Sequence, residues 1–258
     1  CLAYLFQKFS DLPESKAVND YERTTFWHIA NKEASVDEVK SSLFLLTRML
    51  AEHYGKQVIL LLDEYDVPVA KAADNGYYRE MLDVIKIMLS MALKDNTFLR
   101  FAVITGCLKI TKESIFTGTK NFVCDTISSS RLNEFFGFTQ KEVEKLLKDT
   151  GFGEQVETVQ AWYDGYRFGD MEIYCPWDVV NYVRDLQADP LAKPKSYWKN
   201  TSDNAIIRSF IEHTGSSITS KLEKLMAGET IVQKVEEELT YDVLHSSEEN
   251  LWSVLYLT

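Results

Sequence analysis

Cysteine is scarce and dispersed: Cys1, Cys107, Cys124 and Cys175 lie far apart, with no C-x-x-C pair and no histidine at zinc-ligand spacing. That excludes a disulfide-stapled module and a zinc finger, and the thiols read as reduced. His28, His53, His213 and His245 have no partners at ligand spacing, so no metal role is assigned to them. No apolar stretch approaches the length that crosses a bilayer, and no basic segment followed by an apolar run and cleavage site opens the chain. The expectation is a cytoplasmic protein without a membrane partner. Positive charge is also in deficit: 28 Lys and Arg stand against 39 Asp and Glu, a formal net charge of −11. Repulsion from phosphate backbones disfavours direct nucleic-acid binding by this segment, although a local basic site is compatible with it. Internal repeats and low-complexity tracts are missing as well.

What is present is ordinary globular composition, 45% hydrophobic and 26% charged over 258 residues, enough for one large domain or two small ones. Cys1 stands where an initiator Met would, and the apolar run Leu251–Thr258 stops without a cap, so the chain is read as an internal piece of a longer protein.

Val36, Val39, Leu43, Leu46 and Leu50 recur at helical spacing, with Ser35 and Glu38 placed as a capping box and Gly55 as the stop. The run Val58-Ile59-Leu60-Leu61-Leu62 then reads as a strand buried on both faces of a parallel sheet. Residues 77–94 return to helical periodicity and lead into a second apolar run, Phe98–Ile104, closed by Thr105-Gly106. Helix, strand, helix, strand in this order predicts an α/β sheet with right-handed crossovers. A weaker third strand is expected at Asn121–Ile127. Beyond residue 138 the pattern turns helical, starting with a capping box at Thr139 and Glu142, with further helices at 154–163, 176–186, 203–213 and 217–227 and a loop at Gln187–Lys195.

The first strand ends in Asp63-Glu64, the pattern of a Walker-B strand, which delivers two acids to the carboxyl edge of a parallel sheet. In that role Asp63 orients Mg²⁺ and Glu64 polarises an attacking water, because phosphoryl transfer needs positioning and charge neutralisation more than covalent chemistry. The competing reading is that acids simply cap the exposed end of a buried strand. Thr105, ending the second strand, occupies the place of a polar sensor between acid and γ-phosphate, though a hydroxyl there also caps turns. Lys109 and Lys112 are candidates to face phosphate oxygens, and Arg131 a candidate finger arginine, each against the alternative of a solvated surface cation. Asp66, before Val67-Pro68, reads as a turn residue rather than a metal ligand.

Six segments together resemble one family: Leu62-Asp63-Glu64-Tyr65-Asp66-Val67-Pro68, Val103–Gly118, Phe135-Phe136-Gly137-Phe138-Thr139, Trp162-Tyr163-Asp164-Gly165-Tyr166-Arg167-Phe168-Gly169, Tyr174-Cys175-Pro176-Trp177 and Tyr197-Trp198-Lys199-Asn200-Thr201-Ser202. They resemble the bacterial AAA-ATPase-like proteins, which typically carry a PD-(D/E)XK nuclease-like domain after the ATPase region. The resemblance implies a partial P-loop NTPase-type parallel sheet over residues 1–135 and an α-helical lid and connector subdomain over 136–258. It also implies ATP and Mg²⁺ as cofactors, with Asp63, Lys109 and Lys112 binding them and Glu64 and Thr105 acting in catalysis. The chain departs from the family pattern in one respect: no G-x-x-x-x-G-K-[ST] loop occurs in it. A Walker-A segment and a nuclease-like domain elsewhere in the same protein are therefore expected partners, and the segment alone is not expected to hydrolyse ATP. Trp162–Gly169 is read as lid packing rather than base stacking, with Gly165 and Gly169 supplying turns. Two alternatives stay open: a non-catalytic interaction scaffold with a vestigial site, and a metal-dependent nuclease built on Asp63, Glu64 and Asp66.

Overall fold

Ser35 accepts a hydrogen bond from the Glu38 amide while the Glu38 carboxylate accepts one from the Ser35 amide, and this reciprocal cap starts the longest helix, Val36–Tyr54. Gly55, at φ 65°, ends it in the left-handed conformation that glycine adopts without a Cβ penalty. A computed structural model describes residues 1–107, 122–198, 216–237, 239–241 and 243–257. Two compact units emerge, one from Cys1–Phe122 with Ser216–Tyr256, the other from Val123–Gly215.

In the first unit the elements before the sheet are α1 (Leu2–Gln7), α2 (Asp20–Ala30) and α3 (Val36–Tyr54). Asn19 and Glu22 form a second capping box at the start of α2. Phe6, Leu12, Phe26, Ile29, Leu46 and Met49 close one apolar core between these helices. The strand β1 (Val58–Leu62) follows, then α4 (Val67–Asp74), α5 (Tyr78–Leu93) and β2 (Leu99–Ile104). β1 and β2 pair in parallel with Leu62 opposite Ile104, as a crossover through helices requires.

The half-buried side chains Leu60, Leu62, Ala102 and Ile104 share the face toward α3 and α5. The opposite face corrects the expectation of strands buried on both sides. Leu61 is 72% exposed, and Ile59, Phe101 and Val103 are about half exposed. The physical reason is the size of the sheet, which has two strands among the described residues and one helical layer over it. The expected third strand is also corrected. Residues 122–127 carry none, because Thr126 and Ser129 hydrogen-bond into a turn and Val123 is exposed. Asn121 lies outside the described residues, as do the expected helix 203–213, Lys109 and Lys112.

The second unit contains α6 (Gln140–Thr150), capped by Thr139 and Glu142, α7 (Val156–Tyr163), β3 (Asp164–Phe168), β4 (Met171–Tyr174) and α8 (Pro176–Ala188). The expectation of a wholly helical region is thus corrected by an antiparallel hairpin. Phe168 pairs with Met171, leaving Gly169-Asp170 as a two-residue turn. Gly169 has φ 57° and lies against the Ser129 backbone, where an added Cβ would sit 2.9 Å from the carbonyl oxygen. Gly165 stands inside β3 and has no positive φ. Val143, Leu147, Val159, Tyr163, Tyr174 and Tyr182 are among the side chains that form the core of this unit.

Candidate functional site

Parallel pairing carries β1 and β2 to the same edge, so the residues after each strand emerge side by side. The Thr105 amide donates to the Leu62 carbonyl at 2.9 Å, and the Tyr65 amide returns to the Thr105 carbonyl at 3.0 Å. These two bonds continue the ladder one step past the strands and set Thr105 beside Asp63. The Thr105 hydroxyl donates to the Asp63 carboxylate. Asp63 and Glu64 are both exposed, so neither acid bears the cost of burial and both are open to a ligand.

Glu64 holds φ 54°, a left-handed conformation that a residue with a Cβ adopts at a cost of about 1–2 kcal/mol. The kink turns the chain back on itself immediately after the strand. Tyr65 and Asp66 therefore point inward, 8% and 1% exposed. They close over Gly106, where an added Cβ would meet the Tyr65 ring at 2.5 Å and Asp66 Oδ1 at 2.8 Å. Asp66 Oδ2 accepts from the Cys107 amide at 3.0 Å and from the Tyr241 hydroxyl at 2.9 Å. Pro68 then sits in the first turn of α4, where its missing amide costs nothing.

Among the described residues, the charged groups that act on Cys107 are acidic. The Cys107 thiol, although exposed at the surface, is pushed up by partial desolvation first and then by Asp66, Glu64 and Asp63. Burial and the Asp66 carboxylate hold the Tyr241 phenol well above its ordinary range. The candidate residues separate into two groups. Asp63, Glu64 and Thr105 come together at the strand edge, whereas Arg131 belongs to the second unit and forks onto Asp125, with Nε 3.1 Å from Oδ1. The sequence marks Asp66 as a turn residue. It does precede α4, but its carboxylate is committed to Cys107 and Tyr241 rather than turned toward Asp63. Among the described residues no group of three or more His, Cys, Asp and Glu side chains is arranged to hold a metal ion. The donors at the edge, one exposed carboxylate beside a hydroxyl, are oxygen ligands of the kind a hard, largely hydrated cation takes. The Tyr241 contact spans 175 positions of sequence, and no periodicity or motif near residue 241 announces it.

Residues 6–116 match the sequence model of a family described as predicted AAA-ATPase. An uncharacterized protein in the vnfD 5′ region of Azotobacter chroococcum mcd 1 is 27% identical over 184 residues, covering 70% of this chain and 34% of the relative. The matched stretch therefore spans about a third of that relative's length. No solved structure matches the chain. Over residues 6–116 the chain is thus similar to a predicted AAA-ATPase family, and the matched region takes in both parallel strands with Asp63, Glu64 and Thr105 at their ends.

Proposed function

We propose that the strand-end acids belong to an ATP-binding, ATP-hydrolysing switch domain of a larger protein. The observation that carries this reading is the hydrogen bond from Thr105 to Asp63 across adjacent parallel strand ends, inside the region similar to predicted AAA-ATPases. Asp63 would hold a hydrated Mg²⁺, whose charge offsets that of the phosphates when bound, and Thr105, hydrogen-bonded to Asp63, would act as the polar sensor between that acid and the γ-phosphate. Glu64, exposed at the strand end, would accept a hydrogen bond from the attacking water and draw its proton. Lys109 and Lys112, which follow β2 in sequence, would supply positive charge to the phosphates in this reading. The backbone amide cradle of a Walker-A loop comes from elsewhere in the full-length protein in this reading, with 136–258 as lid and connector, a nuclease-like domain as neighbour and the cytoplasm as location.

The experiment is Glu64→Gln in the full-length protein. Nucleotide affinity is expected to stay within about twofold while turnover falls at least about a hundredfold, since general base catalysis contributes 10²–10⁴. Turnover equal to wild type would remove Glu64 from the mechanism. A second reading, a non-catalytic interaction scaffold, is favoured by the exposed apolar face of Ile59, Leu61, Phe101 and Val103. Equilibrium dialysis of the full-length protein against Mg-ATP separates the two, because a scaffold shows no binding.

A further inference from the structure

The Asp66 carboxylate is 1% exposed and lies outside the set of residues assigned a role in hydrolysis. It stands three residues beyond Asp63, and its acceptor oxygen takes the Cys107 amide, two residues beyond Thr105. The segments 62–66 and 104–107 are therefore laced at four points: Thr105 amide to Leu62 carbonyl, Tyr65 amide to Thr105 carbonyl, Thr105 hydroxyl to Asp63, and Cys107 amide to Asp66. The first two join backbone to backbone, and the third joins two side chains at the strand ends. The fourth depends on a side chain, and that side chain is in turn gripped by Tyr241 at 2.9 Å. Leu239, Thr240 and Tyr241 are all buried, so the segment that supplies the hydroxyl is anchored rather than loosely laid on the surface.

We infer that Asp66 and Tyr241 are positioning residues, which fix the start of the loop after β2 and thereby hold Thr105 against Asp63. The inference rests on the ATPase reading above. A buried carboxylate that loses one of its donors is left under-satisfied, and it relaxes by moving toward another donor. Here any such motion shifts the Cys107 amide, and with it the Thr105 hydroxyl two residues back. Neither residue touches the reacting atoms in this arrangement. Their effect belongs to the chemical step rather than to affinity, because Thr105 sits at the edge where the γ-phosphate would react.

Tyr241→Phe in the full-length protein deletes one hydroxyl and keeps the ring. The expected result is a drop in kcat of about tenfold, in the range of losses seen when a supporting hydrogen bond is removed. KM for Mg-ATP is expected to stay within about twofold, which separates positioning from binding. Hydrogen exchange at the Cys107 amide should quicken in parallel. Asp66→Ala should reproduce the kcat loss, and Asp66→Asn, which keeps an oxygen for the Cys107 amide, should recover part of it. If Asp66→Ala fails to fold, Tyr241→Phe still decides the matter. Unchanged kcat in Tyr241→Phe, with or without faster exchange at Cys107, would overturn the positioning role while leaving the ATPase reading in place. A wild-type protein that neither binds nor turns over Mg-ATP would remove that reading first, and this inference with it.

Discussion

Glu64 combines two properties that pull in different directions. Its backbone, at φ 54°, suits glycine, yet a long acidic side chain occupies the position. Glu64→Gly should relieve the strain and stabilise the fold by about 1 kcal/mol, while removing the carboxylate from the strand edge. Urea denaturation of the two proteins is the measurement; a lower midpoint for the glycine variant would mean that Glu64 makes stabilising contacts that outweigh its backbone cost. Glu64→Gln keeps the strained backbone and serves as the control. The position of Glu64 after the strand is legible in the run Leu60-Leu61-Leu62-Asp63-Glu64, because an apolar strand followed by acids has few geometric solutions. Its backbone conformation is not legible, since nothing in an acidic residue's identity signals a positive φ. The same limit applies to Asp66. Sequence places it before a Pro-started helix, and only the fold shows that the kink at Glu64 turns its carboxylate inward onto Cys107 and Tyr241.

At the scale of elements, strong local signals carried through. Ser35 with Glu38 and Thr139 with Glu142 mark helix starts, and Gly55 and Gly151 mark ends, because caps depend on neighbours a few residues away. The Asn19 and Glu22 box at α2 carried the same signal in a stretch with weaker periodicity. The hairpin of β3 and β4 was obscured by aromatic residues, which suit strand and helix packing alike, and by a turn written Gly169-Asp170. The two faces of the parallel sheet were the least legible feature. Alternating burial cannot be read from a run in which every residue is apolar, so Leu61 and Leu60 look equivalent in sequence. They differ in the structure, and the difference is testable against a core leucine. Leu89, fully buried on α5, should cost about 2–5 kcal/mol as Leu89→Ala. Leu61→Ala, at a site 72% exposed, should stay within about 0.5 kcal/mol. A loss of several kcal/mol at Leu61, measured by denaturant unfolding, would show that its face is covered in solution.

At the scale of the whole molecule, tyrosine rather than the carboxylates governs how stability responds to alkaline pH. In the second unit the Tyr163 hydroxyl donates to the Lys195 carbonyl at 3.0 Å, Tyr182 to Gln155 at 3.2 Å and Tyr197 to Asp185 at 2.8 Å, while Tyr174 donates to Gln140. In the first unit Tyr241 donates to Asp66. Each hydroxyl is thus used as a donor, a role that a phenolate cannot fill. Burial is the leading cause in pushing Tyr163 and Tyr174 up to about 12, and it raises Tyr182, Tyr197 and Tyr241 in the same direction. A raised folded value means that between about pH 10 and 12 the native state keeps protons that the unfolded chain has released. The slope of stability against pH is then negative. For Tyr163 and Tyr174 that contribution is fully present below the ordinary tyrosine value of 10.0 and is lost as pH climbs through about 12. Thermal unfolding should therefore show no tyrosine-dependent loss up to about pH 10, and a steep fall above it, accompanied by a delayed rise in phenolate absorbance that coincides with unfolding. Tyr163→Phe should shrink the delayed absorbance phase without moving the onset of the remaining tyrosines. If all the phenolate signal instead appears with a midpoint near 10 and the protein stays folded, the buried hydroxyls do not hold their protons, and the donor roles assigned to them, including that of Tyr241 toward Asp66, fall together.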